Sequence, residues 1–526
     1  MDIWSWICEL PNSDQWVESE SPPTFQLVSS KPTKADTTQS IQLRAERTSG
    51  SNSEALVTFS VYVHGFHPSN AEKTLWVSDA CPLASDKPFL PLLLQLVQEI
   101  VSRSPTAHDS TCPRSQLQKL RPEPVAWVLD SHSPESLSSF FNLVFLTRLF
   151  WLCVCDAPSE VGSLYFDSLL TPHIELFSCN HAHVLRTFLV SIGVDAELCF
   201  MRSVGYMLAK WLILREVGVG LQMLTPVPKL GFSYAMEAHG LWTLKAYAPV
   251  MAMTRTRFKG QEKQYSAIEA KESVLRYALA HQQLEVVIQL EYSVAFHDGF
   301  IQVNTRVNNL RFHIVKLGFS KNDDMDYIDE RHFPSRIRVW IGPEIGSTYV
   351  ASLSLGRSTE NIEKEVKTQR TVKGNFGKMK IPRVKATARL STRTRTKNWR
   401  WDQDAEGNAA IFEAVLCENN SGVEVATNKP PNTISEGDKW ENGLGKRYSG
   451  ANRMFSKSGG LVFAGDEYGE GVEWRLSKEM EGSVLKWRIG GQIWLSYWPN
   501  EIKTSYFETR CVEWCDEVDL PLIPCK

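Results

Sequence analysis

Residues 483–498 read SVLKWRIGGQIWLSYW, and this stretch decides the fold of the second half of the chain. Apolar residues recur at every second position, and those that share one face are Leu485, Trp487, Ile489, Ile493, Leu495 and Tyr497. Period-two alternation of this length predicts a β-strand with one face against a core. Gly490 and Gly491 lie at its centre, where missing Cβ atoms allow a bend, or a close approach by other backbone or a ligand.

The opposite face of this strand carries Gln492, Trp494, Ser496 and Trp498 beside Lys486 and Arg488. Trp494 and Trp498 are four residues apart, which is about 13 Å in a strand. Such a face either fills a second layer of core or lines a cleft for a flat apolar ligand or a sugar. We therefore take Gln492, Trp494, Ser496 and Trp498 as candidate ligand-binding residues.

Strand-like runs continue through residues 226–526 and are separated by short turns rich in Gly and Asn. Hairpins are predicted at His297-Asp298-Gly299, at residues 405–408 and 420–422, and near Glu481-Gly482, because Asp-Gly and similar pairs favour tight turns. Strands at such regular intervals predict a large antiparallel β-sandwich or barrel. At 526 residues the chain is also too long for one core, so two or three domains are expected.

Residues 1–130 are predicted to form a mixed α+β region. Strand-like runs lie at 40–47, 54–63, 74–79 and 125–129, and residues 88–102 have helical spacing. Trp4, Trp6 and Ile7 are too apolar for a free arm, so we expect them to dock on the body of the protein.

Residues 131–225 are predicted to form a helical bundle packed on that region. The run from Leu137 to Cys155 is the most apolar in the chain, but Asn142 and Arg148 interrupt it. A central Arg costs roughly 2.5–3.5 kcal/mol on membrane-insertion scales, so we interpret the run as a buried helix. The run at 196–214 fails the same test because of its charged residues, and no transmembrane segment is expected.

Positive charge is concentrated in one insert at residues 364–400. Between Lys367 and Arg400 there are 12 Lys or Arg and no acidic residue, and without them the net charge of −3 would be −15. A stretch of this kind can bind phosphates by releasing counterions, and nearby Trp can stack on bases. The candidate anion-binding residues are Lys385, Arg389, Arg393, Arg395, Lys397 and Arg400. From Lys385 onward the insert alternates, which indicates a strand with one basic face. The alternative is a solvated loop that pairs with the acidic run at residues 323–330.

Metal and catalytic signals are weak. The acidic run lacks the spacing of a calcium-binding loop, and Cys179-Asn180-His181-Ala182-His183 offers three ligands where structural zinc needs four. The chain has no GxSxG elbow, no P-loop, and no GxGxxG placed between a strand and a helix. We therefore expect no metal and no cofactor, and the sequence leaves open whether the protein is an enzyme.

Cysteine usage and the N-terminus predict a cytoplasmic or nuclear location. Eleven scattered cysteines without a CxxC pair favour reduced thiols over a disulfide framework, and Cys511 and Cys515 are interpreted as buried thiols. The first residues, MDIWSWICEL, lack the basic start and long apolar core of a signal peptide.

The opening MDIWSWICELP and the closing YWPNEIKTSYFETRCVEWCDEVDLPLIP resemble a plant-restricted family of uncharacterised proteins. The resemblance extends over essentially the whole chain. It implies a plant source and no particular activity.

Two functions are compatible with these observations. The first is a soluble, non-catalytic binding or scaffold protein whose basic segment meets an anionic partner, either a nucleic acid or an acidic protein. The alternative is a ligand-binding or isomerase-like β-barrel whose Trp-lined pocket takes a small apolar or sugar ligand.

Overall fold

The structure is a computed structural model of the chain. It describes residues 2–11, 21–30, 38–49, 55–66, 72–107, 119–177, 182–219, 231–251, 281–318, 332–356, 364–376, 384–396, 399–417, 424, 460–464, 471–497 and 508–524. Two compact units are present: unit 1 comprises Met1–Phe232, Tyr247–Leu284 and Val315–Asp324, and unit 2 comprises Ser233–Ala246, Glu285–Ile314 and Met325–Lys526. Both regions predicted before residue 225 therefore lie in unit 1.

Unit 1 combines a small antiparallel sheet with helices. Its strands are β1 (Thr24–Ser29), β2 (Ser40–Ser49), β3 (Ala55–His64), β4 (Lys73–Val77), β5 (Cys81–Pro82) and β6 (Thr106–Ala107). Its α-helices are α1 (Ile3–Cys8), α2 (Leu90–Ser102), α3 (Pro122–Ser131), α4 (Pro134–Cys155), α5 (Ser159–Leu164), α6 (His183–Ser191) and α7 (Val194–Val219). A π-helical turn (Tyr165–Leu170) and a 3-10 helix (Thr171–Phe177) follow α5.

Helix α4 forms the centre of unit 1, as its apolar sequence predicts. Ser133 caps it by accepting a hydrogen bond from the backbone N–H of Ser136, and Pro134 occupies the first turn, where a missing N–H costs nothing. Arg148, which is 4% exposed, pairs with Glu99 of α2. This ion pair explains how a helix with a charged residue at its middle can be buried in the core of unit 1.

The N-terminal arm docks as predicted. Residues 3–8 form helix α1, in which Ile3, Trp4 and Ile7 are buried. The Trp4 ring lies 4.9 Å from the Phe141 ring of α4, and Trp6 lies 5.4 Å from Phe25 of β1.

The strand predicted at residues 125–129 is wrong, because these residues belong to α3. Pro122 lies in its first turn, and Val125 and Val128 are buried three residues apart. A short apolar run fits a strand and a helical turn equally well, so the sequence alone favoured neither.

The remaining strands lie wholly or mainly in unit 2, and the division between the units falls within β7, β8, β9 and β10. They are β7 (Phe232–Ala238), β8 (Leu241–Met251), β9 (His281–Phe296), β10 (Phe300–Gly318), β11 (Phe333–Pro343), β12 (Val350–Ser354), β13 (Lys364–Phe376), β14 (Val384–Thr396), β15 (Trp399–Glu406), β16 (Ala409–Leu416), β17 (Gly460–Ala464), β18 (Val472–Ser477), β19 (Val484–Tyr497) and β20 (Glu508–Pro521).

Two antiparallel sheets of unit 2 pack face to face as a sandwich, and the described strands form no closed barrel. The first sheet has the order β12-β18-β10-β9-β8-β7, and the second has the order β15-β16-β11-β19-β20. Trp487 of the second sheet lies between two rings of the first, 5.7 Å from Trp242 and 4.7 Å from Trp474. All three Trp are fully buried, so this cluster is the core of the sandwich.

Strand β19 behaves as its alternation predicts. Trp487, Ile489, Ile493 and Leu495 are each 0% exposed on the inner face. The two central glycines allow close approach by aromatic rings: Trp340 of β11 lies against Gly490 on the outer face, and Trp514 of β20 lies against Gly491 on the inner face.

On one side of the sandwich, the edge strand β20 makes polar contacts with β7 and β8 of the first sheet. The Asp516 carboxylate accepts a hydrogen bond from the backbone N–H of Ala235, and the Asp519 carbonyl accepts one of 2.9 Å from the Trp242 indole. Both contacts satisfy polar groups of β20, an edge strand that pairs only with β19 in the described structure.

The predicted turns have mixed outcomes. The hairpins at His297–Gly299 and at residues 405–408 are confirmed, the latter with Gly407 at a φ of 62°. The hairpin predicted near Glu481-Gly482 is wrong, because β18 and β19 on either side of it belong to different sheets. The turn predicted at 420–422 lies outside the described residues.

Candidate functional site

The basic insert contains an antiparallel hairpin made of β13 and β14. The two strands pair without a register shift, from Lys364↔Thr396 at the base to Phe376↔Val384 at the tip. The prediction of a strand over this insert is therefore confirmed, and a free loop is excluded for 364–376 and 384–396.

The register gathers the cations of both strands on one face. Directly opposed residues of an antiparallel pair share a face, and the face changes at every residue. Lys385, Arg389, Arg393 and Arg395 therefore share their face with Lys367 and Lys373. The paired positions on this basic face are Lys385↔Asn375, Thr387↔Lys373, Arg389↔Thr371, Ser391↔Gln369, Arg393↔Lys367 and Arg395↔Glu365.

The other face is apolar toward the tip of the hairpin. The pairs there are Phe376↔Val384, Gly374↔Ala386, Val372↔Ala388 and Arg370↔Leu390. Toward the base it becomes richer in Thr and carries Lys364. We call the pairs from Phe376↔Val384 to Val372↔Ala388, together with Leu390, the apolar tip.

The remaining two anion-binding candidates do not lie in the hairpin. Lys397 falls outside the described residues. Arg400 is on β15 of the sandwich, where its guanidinium is 3.1 Å from the Glu424 carboxylate. The acidic run at 323–330 is also outside the described residues, so its pairing with the insert stays a prediction.

The candidate ligand face of β19 is polar, and its groups bond to neighbouring strands. Gln492 donates to the Glu513 carboxylate at 3.3 Å. Ser496 is fully buried, with its hydroxyl 2.8 Å from that of Ser335 and 2.9 Å from that of Thr509. Ser335 lies at a register shift between β11 and β19, which brings its hydroxyl over Ser496. Trp498 is outside the described residues.

Trp494 is half-buried and already has a cation over its ring. The Arg336 guanidinium lies 4.9 Å from the ring centroid and is held by Glu413 at 2.6 Å. A flat ligand stacking on this ring would use its other side or displace Arg336. The ligand site therefore stays a prediction.

Sequence reasoning missed Trp340 as a member of this face. It is half-buried and paired with Gly490, two rows from Trp494 along β19. Only the pairing of β11 with β19 reveals this neighbour, although a glycine in a strand is itself a sign of close approach.

Cysteine and histidine positions give no metal centre among the described residues. His183 begins α6, and its ring lies 5.4 Å from that of His132, while Cys179 and His181 are not described.

The prediction that Cys511 and Cys515 are buried is wrong: both are exposed on β20, since the outer face of this edge strand is open to solvent. None of the eight described cysteines forms a disulfide.

One described helix, α4, is long and apolar enough to cross a membrane. However, 83% of its most apolar window is buried inside the protein, as in the core helix of a soluble protein.

Comparison with known proteins gives little further guidance. No protein-family model matches the chain, and no curated protein matches it. Among solved structures, the Clostridium perfringens delta-toxin shares 11% identity over 55% of this chain and 96% of its own, with a TM-score of 0.22. The Clostridium perfringens NetB toxin in its membrane-inserted form shares 9% over 55% and 94%, with a TM-score of 0.19. A structure described as a pore forming protein shares 10% over 54% and 94%, with a TM-score of 0.20. Likeness this low carries no argument, and the resemblance to a plant family stays a prediction.

Proposed function

We propose that this chain is a binding protein that holds an anionic partner on the basic face of the hairpin β13–β14. The observation that carries the proposal is the register of the hairpin, which groups six cationic residues on one face with Glu365 as the single acid.

Such a face is costly when it has no counter-charge. Arg393 is paired directly with Lys367, and like charges directly opposite each other destabilise an antiparallel pair. An anionic partner removes this repulsion and releases the counterions that both surfaces had gathered. The charge pattern therefore favours the bound state over the free hairpin.

The salt dependence of binding tests the proposal. The probe is a fluorescein-labelled single-stranded oligonucleotide, used as a generic polyanion, and its affinity is measured by anisotropy at several salt concentrations. Each phosphate contact on a single strand contributes about 0.7 to the slope of log K against log salt. We expect Arg389→Gln, Arg393→Gln and Arg395→Gln together to reduce this slope by about 2 and to weaken binding in low salt.

A control with the same loss of charge is available on the sandwich. Arg306, Arg475 and Lys478 are 63%, 53% and 38% exposed, and each has a Glu partner. Their triple replacement by Gln should leave the slope nearly unchanged. Equal slopes for the wild type and the hairpin variant would overturn the proposal.

A further inference from the structure

We infer that unit 1 binds a neutral, unbranched aliphatic amide in a narrow pocket, and that Gln283 recognises the amide group of this ligand. The described residues that line the pocket all belong to unit 1, whereas the hairpin of the proposed function belongs to unit 2. Binding in this pocket is therefore a second property of the chain and does not depend on the hairpin.

The side chain of Gln283 is the first reason. Gln283 lies near the start of β9 and is 1% exposed, and neither its Oε1 nor its Nε2 has a hydrogen-bond partner in the described structure. A buried amide without partners is costly, and most buried polar groups in native proteins are paired. A donor and an acceptor that stay free side by side in a pocket are placed to pair with a molecule from outside.

Gly205 is the second reason, because it makes room for that amide. A methyl group at Gly205 would stand 2.0 Å from Gln283 Oε1, so a residue with a Cβ at this position would push the amide away. Gly205 lies in the interior of α7, where glycine destabilises a helix relative to alanine. Two locally unfavourable features therefore coincide at one point of unit 1, as is expected at a functional site.

The walls of the pocket define the apolar part of the ligand. They come from α4, α6, α7, β7 and β8, and they include Leu143, Leu185, Met201, Leu208 and Phe232. The pocket has about 370 Å³ of empty space with its open mouth included, but only about 20 Å³ is free for the centre of a water molecule. It is thus a slot about one water molecule wide, which excludes branched and fused-ring ligands. A straight alkyl chain is slightly wider than water, and the flexible Met201 side chain can yield to it.

The polar character of the pocket favours a neutral ligand. None of the described residues that line it is charged, so an ionised group would have no counter-charge there. The hydroxyl of Tyr247, another lining residue, already donates to the Glu197 carboxylate at 2.6 Å, which leaves recognition to Gln283. A primary amide is neutral and can both donate to Gln283 Oε1 and accept from Gln283 Nε2.

Calorimetric titration of the full chain with octanamide and with methyl octanoate tests the inference. Methyl octanoate has the same chain length and accepts a hydrogen bond, but it has no N–H to donate to Gln283 Oε1. Because it would leave that oxygen buried and unpaired, we expect octanamide to bind at least about tenfold more tightly. Octanoate, which is ionised at neutral pH, should bind more weakly than either of them.

The variant Gln283→Ala separates recognition of the amide from occupation of the slot. It keeps the apolar walls and leaves more space, so methyl octanoate should still bind and the preference for octanamide should disappear. The matched control is Gln26→Ala, at an exposed Gln of β1, which should keep the preference. Thermal unfolding shows whether each variant is folded.

The comparison of the three ligands on the wild type decides the outcome even if Gln283→Ala does not fold. Octanamide that does not bind, or that binds no more tightly than methyl octanoate or octanoate, would overturn the inference. A preference for octanamide that survives in a folded Gln283→Ala variant would overturn it as well. A preference that Gln26→Ala keeps and Gln283→Ala loses would support Gln283 as the recognising residue.

Discussion

The indole of Trp340 lies directly across Gly490, so that a methyl group added at Gly490 would stand 2.6 Å from Trp340 Cε2. At Gly491 the methyl group would stand 2.7 Å from both the Arg338 carbonyl oxygen and Trp514 Cζ2. The atoms that an added methyl group would meet therefore differ, between the two glycines, in how easily they can move. Trp340 is half-buried and can shift, whereas a backbone carbonyl and a buried indole cannot.

Gly491→Ala should therefore destabilise the protein more than Gly490→Ala. Overpacking of this kind costs about 1–3 kcal/mol, and we expect the upper part of that range at Gly491. Denaturant unfolding measures both values, and Gly299→Ala is the control because nothing lies within 4 Å of its added methyl. Equal losses at Gly490 and Gly491 would contradict this explanation.

Breaking the Glu99–Arg148 pair should be costly, and removing both charges should not. Burial lowers the pKa of Arg148, and the Glu99 carboxylate opposes that effect. Glu99 also accepts from the Trp76 indole at 3.2 Å and from Gln95 at 2.8 Å. We expect Glu99→Gln to cost about 3 kcal/mol, because it leaves a buried guanidinium uncompensated.

A double-mutant cycle separates the pair from its surroundings. Glu99→Gln with Arg148→Met should recover most of the loss, since no buried charge then remains. Additive losses for the two substitutions would show that the ion pair is not what matters at this position.

Lys210 should make the stability of the fold depend on pH. Burial lowers the pKa of this residue, which is 0% exposed, from 10.5 to about 7. Between these values the unfolded chain binds a proton that the folded chain has released, so stability rises with pH and the penalty is complete below about pH 7. Relative to Lys210→Met, the wild type should gain roughly 1 kcal/mol per pH unit between about pH 7.5 and 9.5. If the unfolding free energies of the wild type and of Lys210→Met changed in parallel with pH, the lowered pKa of Lys210 would be refuted.

Gln283→Met should stabilise unit 1. Gln283 is 1% exposed, and neither polar atom of its amide has a hydrogen-bond partner in the described structure. Its amide lies against Gly205 in a narrow pocket that is otherwise lined mainly by apolar residues such as Leu143, Met201 and Phe232. A buried unpaired amide costs about 1–3 kcal/mol, and Met has a similar shape without that cost. Thermal unfolding tests this, and a lower melting temperature for the variant would indicate that a bound molecule satisfies the amide.

Local periodicity predicted the elements of this fold well. The alternation of Trp487, Ile489, Ile493 and Leu495 identified β19 and its buried face, and the run before Cys155 identified the central helix. Both signals are carried by neighbouring residues, which is why a single sequence contains them. The error at residues 125–129 arose where the run was too short for its period to be recognised.

Pairing between distant strands could not be predicted in the same way. That Trp340 covers Gly490, that Ser335 meets Ser496, and that Glu481 lies between strands of different sheets all depend on which strands become neighbours. Charge counting found the basic insert, but the contribution of Lys367 and Lys373 to one face required the register of the hairpin. Composition predicts that a charged segment exists, and only topology assigns it a surface.

The pairing of β11 with β19 also has a consequence for synthesis. The two strands are roughly 150 residues apart in the chain, and translation at about 5–20 residues per second makes β19 available some 7–30 s after β11. Until β19 has been synthesised, at least one ladder of backbone groups on β11 has no partner in the nascent polypeptide. Chaperone demand on the ribosome should therefore be high for this protein, and slower elongation between these strands should lower its yield.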